Sequence, residues 1–188
     1  MEVIGVIVAS VAALGAIIWK VVTRKEGTTL PGITKFDPKR IPIFLTFAEN
    51  MPIEVITCTR DAAKFWNSTL EHTLFTLELM PGGSTVPIMP FSGNESARRQ
   101  KKAVAYVDLT LTEDRQGIKS ASVKVDTDKI VNMLPVAITL VMAHEFGHVL
   151  GLEHDDEYGS IMYSKAGERG AYVTPLDKRI ILSEYGLA

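Results

Sequence analysis

The chain has little of several things that often settle a function early. A single cysteine, Cys58, among 188 residues excludes an internal disulfide, so the fold stands on packing and on any metal it binds. Lysine and arginine total 20 against 22 aspartates and glutamates, a net charge of −2. That near-balance gives no global argument for nucleic acid, or for any other charged polymer, as a partner. No internal repeat, long low-complexity tract or sugar-binding module is present. Only four histidines occur, and three of them stand between positions 144 and 154.

That stretch reads HEFGHVLGLEH. His144 and His148 are four apart, so on a helix both imidazoles leave one face, one turn above the other. Glu145 follows the first histidine. Gly151 can turn the chain where a side chain would obstruct, returning His154 as a third nitrogen ligand. Three neutral imidazoles leave a tetrahedral zinc one open position, at which a water can be activated. With ordinary residue frequencies, five fixed positions coincide in such a chain with odds on the order of 1 in 10⁵. The motif therefore predicts zinc bound by His144, His148 and His154, with Glu145 as general base rather than ligand.

These residues resemble the signature of the metzincin metallopeptidases, HExxHxxGxxH followed by a methionine turn, here Ser160-Ile161-Met162-Tyr163. Within metzincins the chain looks most like the matrixins, both in HEFGHVLGLEH and in the Met-Tyr pair. The likeness is clear over residues 103–188 and weak before them, although residues 62–66 fit the family's first helix. Asp155, after the third histidine, is instead a feature of the adamalysin branch, whose members are disulfide-rich, unlike this chain. The resemblance implies that Met162 forms an apolar floor under the ligands. It implies too that Tyr163 lines the pocket for the side chain after the scissile bond. Cys58 lacks the surroundings of a matrixin latency thiol and reads as a small buried residue. Asp155 reads equally as a support for the ligands or as a solvated acid. The histidines of a second, structural zinc are missing, so one catalytic zinc is expected. Calcium stays open without support, since Asp126, Asp128, Asp155 and Asp156 show no EF-hand spacing.

The one long apolar run covers residues 3–22, enough at about 1.5 Å per residue to span a bilayer core of roughly 30 Å. Trp19 suits the interface and Lys20 can reach water. A cleaved signal peptide is the competing reading; Glu2 in place of a basic start, and Lys20, Arg24 and Lys25 after the run, count against it. The expected organisation is a transmembrane anchor over 1–25, a linker over 26–38 and a zinc peptidase domain over 39–188. Positive charge after the run places the catalytic domain on the cytoplasmic side of a single-pass membrane protein. The family's habit points to the extracellular side.

Within the domain, alternation and β-formers predict strands over 41–47, 73–79, 103–112 and 118–126, the last two joined by a hairpin turn at 113–117. Helical spacing follows Pro52. Residues 81–102, with Gly82-Gly83, several prolines and the basic Arg98, Arg99, Lys101 and Lys102, read as a surface loop. Pro135 suits the first position of the helix bearing His144, with Asn132 or Met133 near its cap. Thr174 and Asp177 form a capping-box pattern for a last helix ending at Gly186. The expected fold is α+β: a twisted mixed sheet, an active-site helix, a C-terminal helix, and zinc in a cleft below an edge strand. Resemblance identifies that edge strand as the segment including Ser122 and Asp126, with substrate lying along it as an added strand.

The function expected is a membrane-anchored zinc endopeptidase acting on polypeptides, with residues 3–22 in the lipid bilayer. The alternatives are a zinc-stabilised structural protein of a cell-envelope or viral membrane, and a cell-wall peptide hydrolase.

Overall fold

The computed structural model describes residues 33–78, 82–91, 103–163 and 172–188. The expected anchor over 3–22 and the basic cluster at 98–102 lie outside the described residues. Among the described residues no helix is long and apolar enough to cross a membrane.

Two-residue alternation of apolar side chains builds a sheet with one buried face. Its strands are β1 (Ile43–Phe47), β2 (Phe75–Thr76), β3 (Thr85–Pro90), β4 (Ala105–Leu111) and β5 (Ile118–Val125), in spatial order β2-β1-β3-β5-β4. β1 pairs parallel with β2 and β3, β3 parallel with β5, and β4 antiparallel with β5. Ile43, Leu45, Val86, Ile88, Val123 and Val125 are all buried and share one core with the helices.

The central strand β3 falls where the sequence predicts a surface loop. Pro87 and Pro90 disguise it, because proline cannot donate to a ladder and is rare inside a sheet. The register shows why both are tolerated. Phe44 N donates to Ser84 O and Ala48 N to Ile88 O, so the even-numbered residues of β3 face β1. Phe91 N donates to Val125 O, so the odd-numbered ones face β5. Pro90 thus faces β1 beyond its last paired residue, Phe47, and Pro87 faces β5 before pairing begins at Ile88. Neither missing N–H interrupts a rung.

β2 is shorter than its alternation suggests. The Asn67 side chain accepts from the Leu74 and Phe75 amides at 2.9 and 3.0 Å and donates to Phe75 O at 2.8 Å. The segment is thereby tied to the end of a helix, and only Phe75 and Thr76 pair with β1. The hairpin β4–β5 forms as expected, but its order in the sheet corrects the edge assignment. The strand containing Ser122 is interior, between β3 and β4, and β4 is the edge. Asp126 lies past β5 and caps a short helix, accepting from Lys129 N.

The helices are α1 (Ile53–Leu70), α2 (Thr127–Ile130), α3 (Pro135–Val149) and α4 (Pro175–Glu184). Pro135 opens α3 as predicted, and the capping residue is Leu134, directly after Met133 and without a side-chain bond. Thr174 caps α4: its Oγ1 accepts from Asp177 N at 3.0 Å and donates to the Asp177 carboxylate at 2.8 Å. Cys58 donates to Pro135 O at 3.3 Å and Trp66 Nε1 to Ala143 O at 2.7 Å, each across 77 residues. The equal offset means α1 and α3 run side by side in the same direction. α3 also packs against β4, one of the sheet's two edge strands.

Candidate metal centre

His144 and His148 leave α3 on one face, with ring centroids 4.8 Å apart. The helix ends at Gly151, whose φ of +93° suits a residue without a side chain. Gly151 N bonds to His148 O and Leu152 N to Gly147 O, satisfying carbonyls of the last turn. A Cβ on Gly151 would strike the Thr34 carbonyl oxygen, so a close backbone approach adds to the demand for glycine. The reversed chain brings His154 back to the other two, and the ligating atoms of all three lie within 4.8 Å of one another.

The ring nitrogens are sorted by their partners. His144 Nδ1 lies 2.7 Å from Ile161 O, and His148 Nδ1 lies 2.8 Å from Leu152 O. A carbonyl only accepts, so each Nδ1 carries the proton and each Nε2 presents a lone pair. Those two Nε2 atoms stand 3.1 and 3.2 Å from His154 Nε2. One nitrogen carries at most one hydrogen, so the two contacts cannot both be well-aligned hydrogen bonds. Tetrahedral zinc with ordinary Zn–N lengths places its nitrogens about 3.3 Å apart. The donor set therefore fits zinc.

Around these ligands the packing is close. Glu145 is buried on α3 beside His144. Met162 is fully buried, and a Cβ on Gly147 would collide with its Sδ. The thioether therefore lies against bare helix backbone between the first two histidines. Tyr163 is nearly buried, with the exposed Tyr158 ring edge-on to it at 5.7 Å. His144, Glu145, His148 and His154 thus gather at the end of α3 and the turn that follows, with Met162 against Gly147 and Tyr163 bridged to Asp155, the residue after His154. His72, the remaining histidine, is exposed in the turn after α1 and is no part of the group.

Sequence reasoning missed several supports. Trp66 falls in the helix predicted after Pro52, but nothing local marks its indole as a donor to the residue before His144. Phe146, between the ligands, stacks on Phe75 at 4.7 Å. Asp155 is no idle surface acid, since its carboxylate accepts from Ser160 Oγ at 2.7 Å and from Glu157 N at 3.1 Å. Tyr172 donates to Glu157 at 2.7 Å. Burial first, then that bond to an acid, pushes the Tyr172 phenol up to about 12. Burial likewise raises the Asp177 carboxyl above its ordinary value, against the Thr174 hydroxyl that favours its anion.

The model of the matrixin family matches residues 57–186. The chain belongs to the matrixins. It is a zinc metallopeptidase with one catalytic zinc, consistent with its three-histidine group. Among solved structures it is similar to high choriolytic enzyme 1, a hatching-enzyme zinc protease of the medaka Oryzias latipes. That likeness has 12% identity and a TM-score of 0.49, and covers 84% of this chain and 96% of the other. No curated protein sequence matches the chain.

Proposed function

We propose that this matrixin is a membrane-anchored endopeptidase in which Glu145 is the general base. The convergence of three imidazole nitrogens beside a buried carboxylate carries the reading. When bound, zinc polarises the scissile carbonyl and makes a coordinated water acidic enough to deprotonate near neutrality. His144, His148 and His154 hold the metal, the first two steered by their Nδ1–H bonds to carbonyls. Glu145 takes the proton from the water as its oxygen bonds to the carbonyl carbon, then passes it to the amine as the C–N bond breaks. Met162 provides the apolar floor, and Tyr163 a wall of the pocket for the residue after the cleaved bond. Substrate lies along β4, the edge strand above α3, by main-chain pairing.

Anchoring rests on the apolar run over residues 3–22, and a cytoplasmic catalytic domain on Lys20, Arg24 and Lys25 behind it. Cleavage of a peptide library that stops on chelation and returns with zinc tests the enzyme reading. A chain that binds zinc yet cleaves nothing would favour the structural role. For the anchor, the full chain should resist carbonate extraction, and protease added to intact cells should spare the catalytic domain. A mature N-terminus near residues 23–29 would show a removed signal peptide instead, and external digestion would reverse the orientation.

A further inference from the structure

We propose that Asp155 and Ser160 are positioning residues of the zinc site, acting together to fix the carbonyl that steers His144. The inference rests on zinc being held by the three histidines. Asp155 follows ligand His154 directly and grips the methionine turn at two points. Its backbone N–H donates to Met162 O at 2.9 Å, and its carboxylate accepts from Ser160 Oγ at 2.7 Å. Ser160 is fully buried, and its Oγ accepts from Met162 N at 3.0 Å. That bond closes a small turn whose middle residue is Ile161. The Ile161 carbonyl is the one that accepts from His144 Nδ1 at 2.7 Å. A continuous chain thus runs from the residue beside one ligand, through a carboxylate and a hydroxyl, to the acceptor that orients another. The Ser160 hydroxyl points its hydrogen at the Asp155 side chain, which leaves its lone pairs to the Met162 amide. Breaking either link loosens the peptide that carries the Ile161 carbonyl, which the Ile161 N–Tyr172 O and Asp155 N–Met162 O bonds then hold only in part, and the His144 ring loosens with it, so metal affinity falls although no ligand is lost.

The same loop carries an internal control. Tyr172 ties Glu157 from the other side but contributes no side-chain bond to Asp155, Ser160 or Met162. A general loosening of the loop would follow from Tyr172→Phe as readily as from Ser160→Ala, whereas the positioning role predicts different results.

Zinc affinity of the full chain is measured by competition with a chromophoric chelator, and ligand geometry by the visible spectrum of the cobalt-substituted protein. Asp155→Leu and Ser160→Ala, which remove the acceptor and the hydroxyl respectively, should each weaken zinc about 10–100-fold and shift the cobalt bands. The double variant should bind within about twofold of the weaker single variant, because both break one chain. Tyr172→Phe should stay within about threefold of wild type, at the scale of one exposed hydrogen bond not made to the ligands. Should Ser160→Ala fail to fold, Asp155→Leu and Ser160→Cys carry the test, since both stay close to the original side chain's size. The proposal is overturned if the variants hold zinc as tightly as wild type with unchanged cobalt bands, or if Tyr172→Phe weakens zinc as much as they do. A wild-type chain that binds no zinc would overturn the metal site and, with it, the proposal.

Discussion

The Trp66 indole N–H donates to the Ala143 carbonyl at 2.7 Å, one residue before His144, and both partners are buried. The longest described helix is thus bonded to the ligand-bearing helix at the level of the metal. Trp66→Phe removes the donor and leaves a cavity, so stability should fall by about 1–3 kcal/mol. The ligands themselves are untouched, and zinc should still bind. Chemical denaturation and metal analysis of the variant check both halves of this expectation.

Gly147 is a second place where α3 has no spare room. A methyl group there meets Met162 Sδ, so Gly147→Ala must push the methionine turn away or shift the helix. The usual helical preference for alanine is reversed, and a loss of about 1–3 kcal/mol is expected from overpacking. Unchanged melting would show that Met162 moves aside freely and forms no rigid floor.

Metal binding and folding should be coupled. His148→Ala leaves two ligands and should abolish stoichiometric zinc, while wild type holds about one zinc per chain. Added zinc should raise the melting temperature of wild type and leave that of the variant where it was. Two tightly held zincs in wild type would contradict a single centre.

Asp177 supplies a pH dependence whose sign is fixed by burial. Its folded-state carboxyl lies above its ordinary value, so folding favours the protonated form. The stability this contributes is present below the ordinary carboxylate pKa and is lost as pH rises through the raised one. Asp177→Asn cannot ionise and can still accept from the Thr174 hydroxyl. In the metal-free chain the variant should therefore gain on wild type as pH rises from the ordinary carboxylate range through the raised value. A gap that narrows with rising pH would contradict the account.

Where the sequence was legible, the information was local. The helix carrying His144 and His148, the turn at Gly151, the Thr174 cap and the β4–β5 hairpin each rest on residues close together in the chain. β3 was hidden because its two prolines are harmless only in view of where its neighbours begin and end. The edge strand, assigned by resemblance, could not be checked from the residues, because a hairpin's own pattern does not say which arm meets the rest of the sheet; that depends on β3 pairing with β5. Trp66 and Asn67 act on residues brought near by packing, and neither carries a local mark of it. Asp155 stood out as a departure from the matrixin pattern, but its bond to Ser160 needed the turn to be folded.

The account's central claim is a peptidase reaction driven by Glu145 at a three-histidine zinc. Its most direct test compares cleavage of one peptide by wild type and Glu145→Gln, each verified to hold the same amount of zinc. The account predicts equal metal content and a rate lower in the variant by at least about 10²–10⁴-fold, the scale of a lost general base. Equal rates at equal zinc would contradict it.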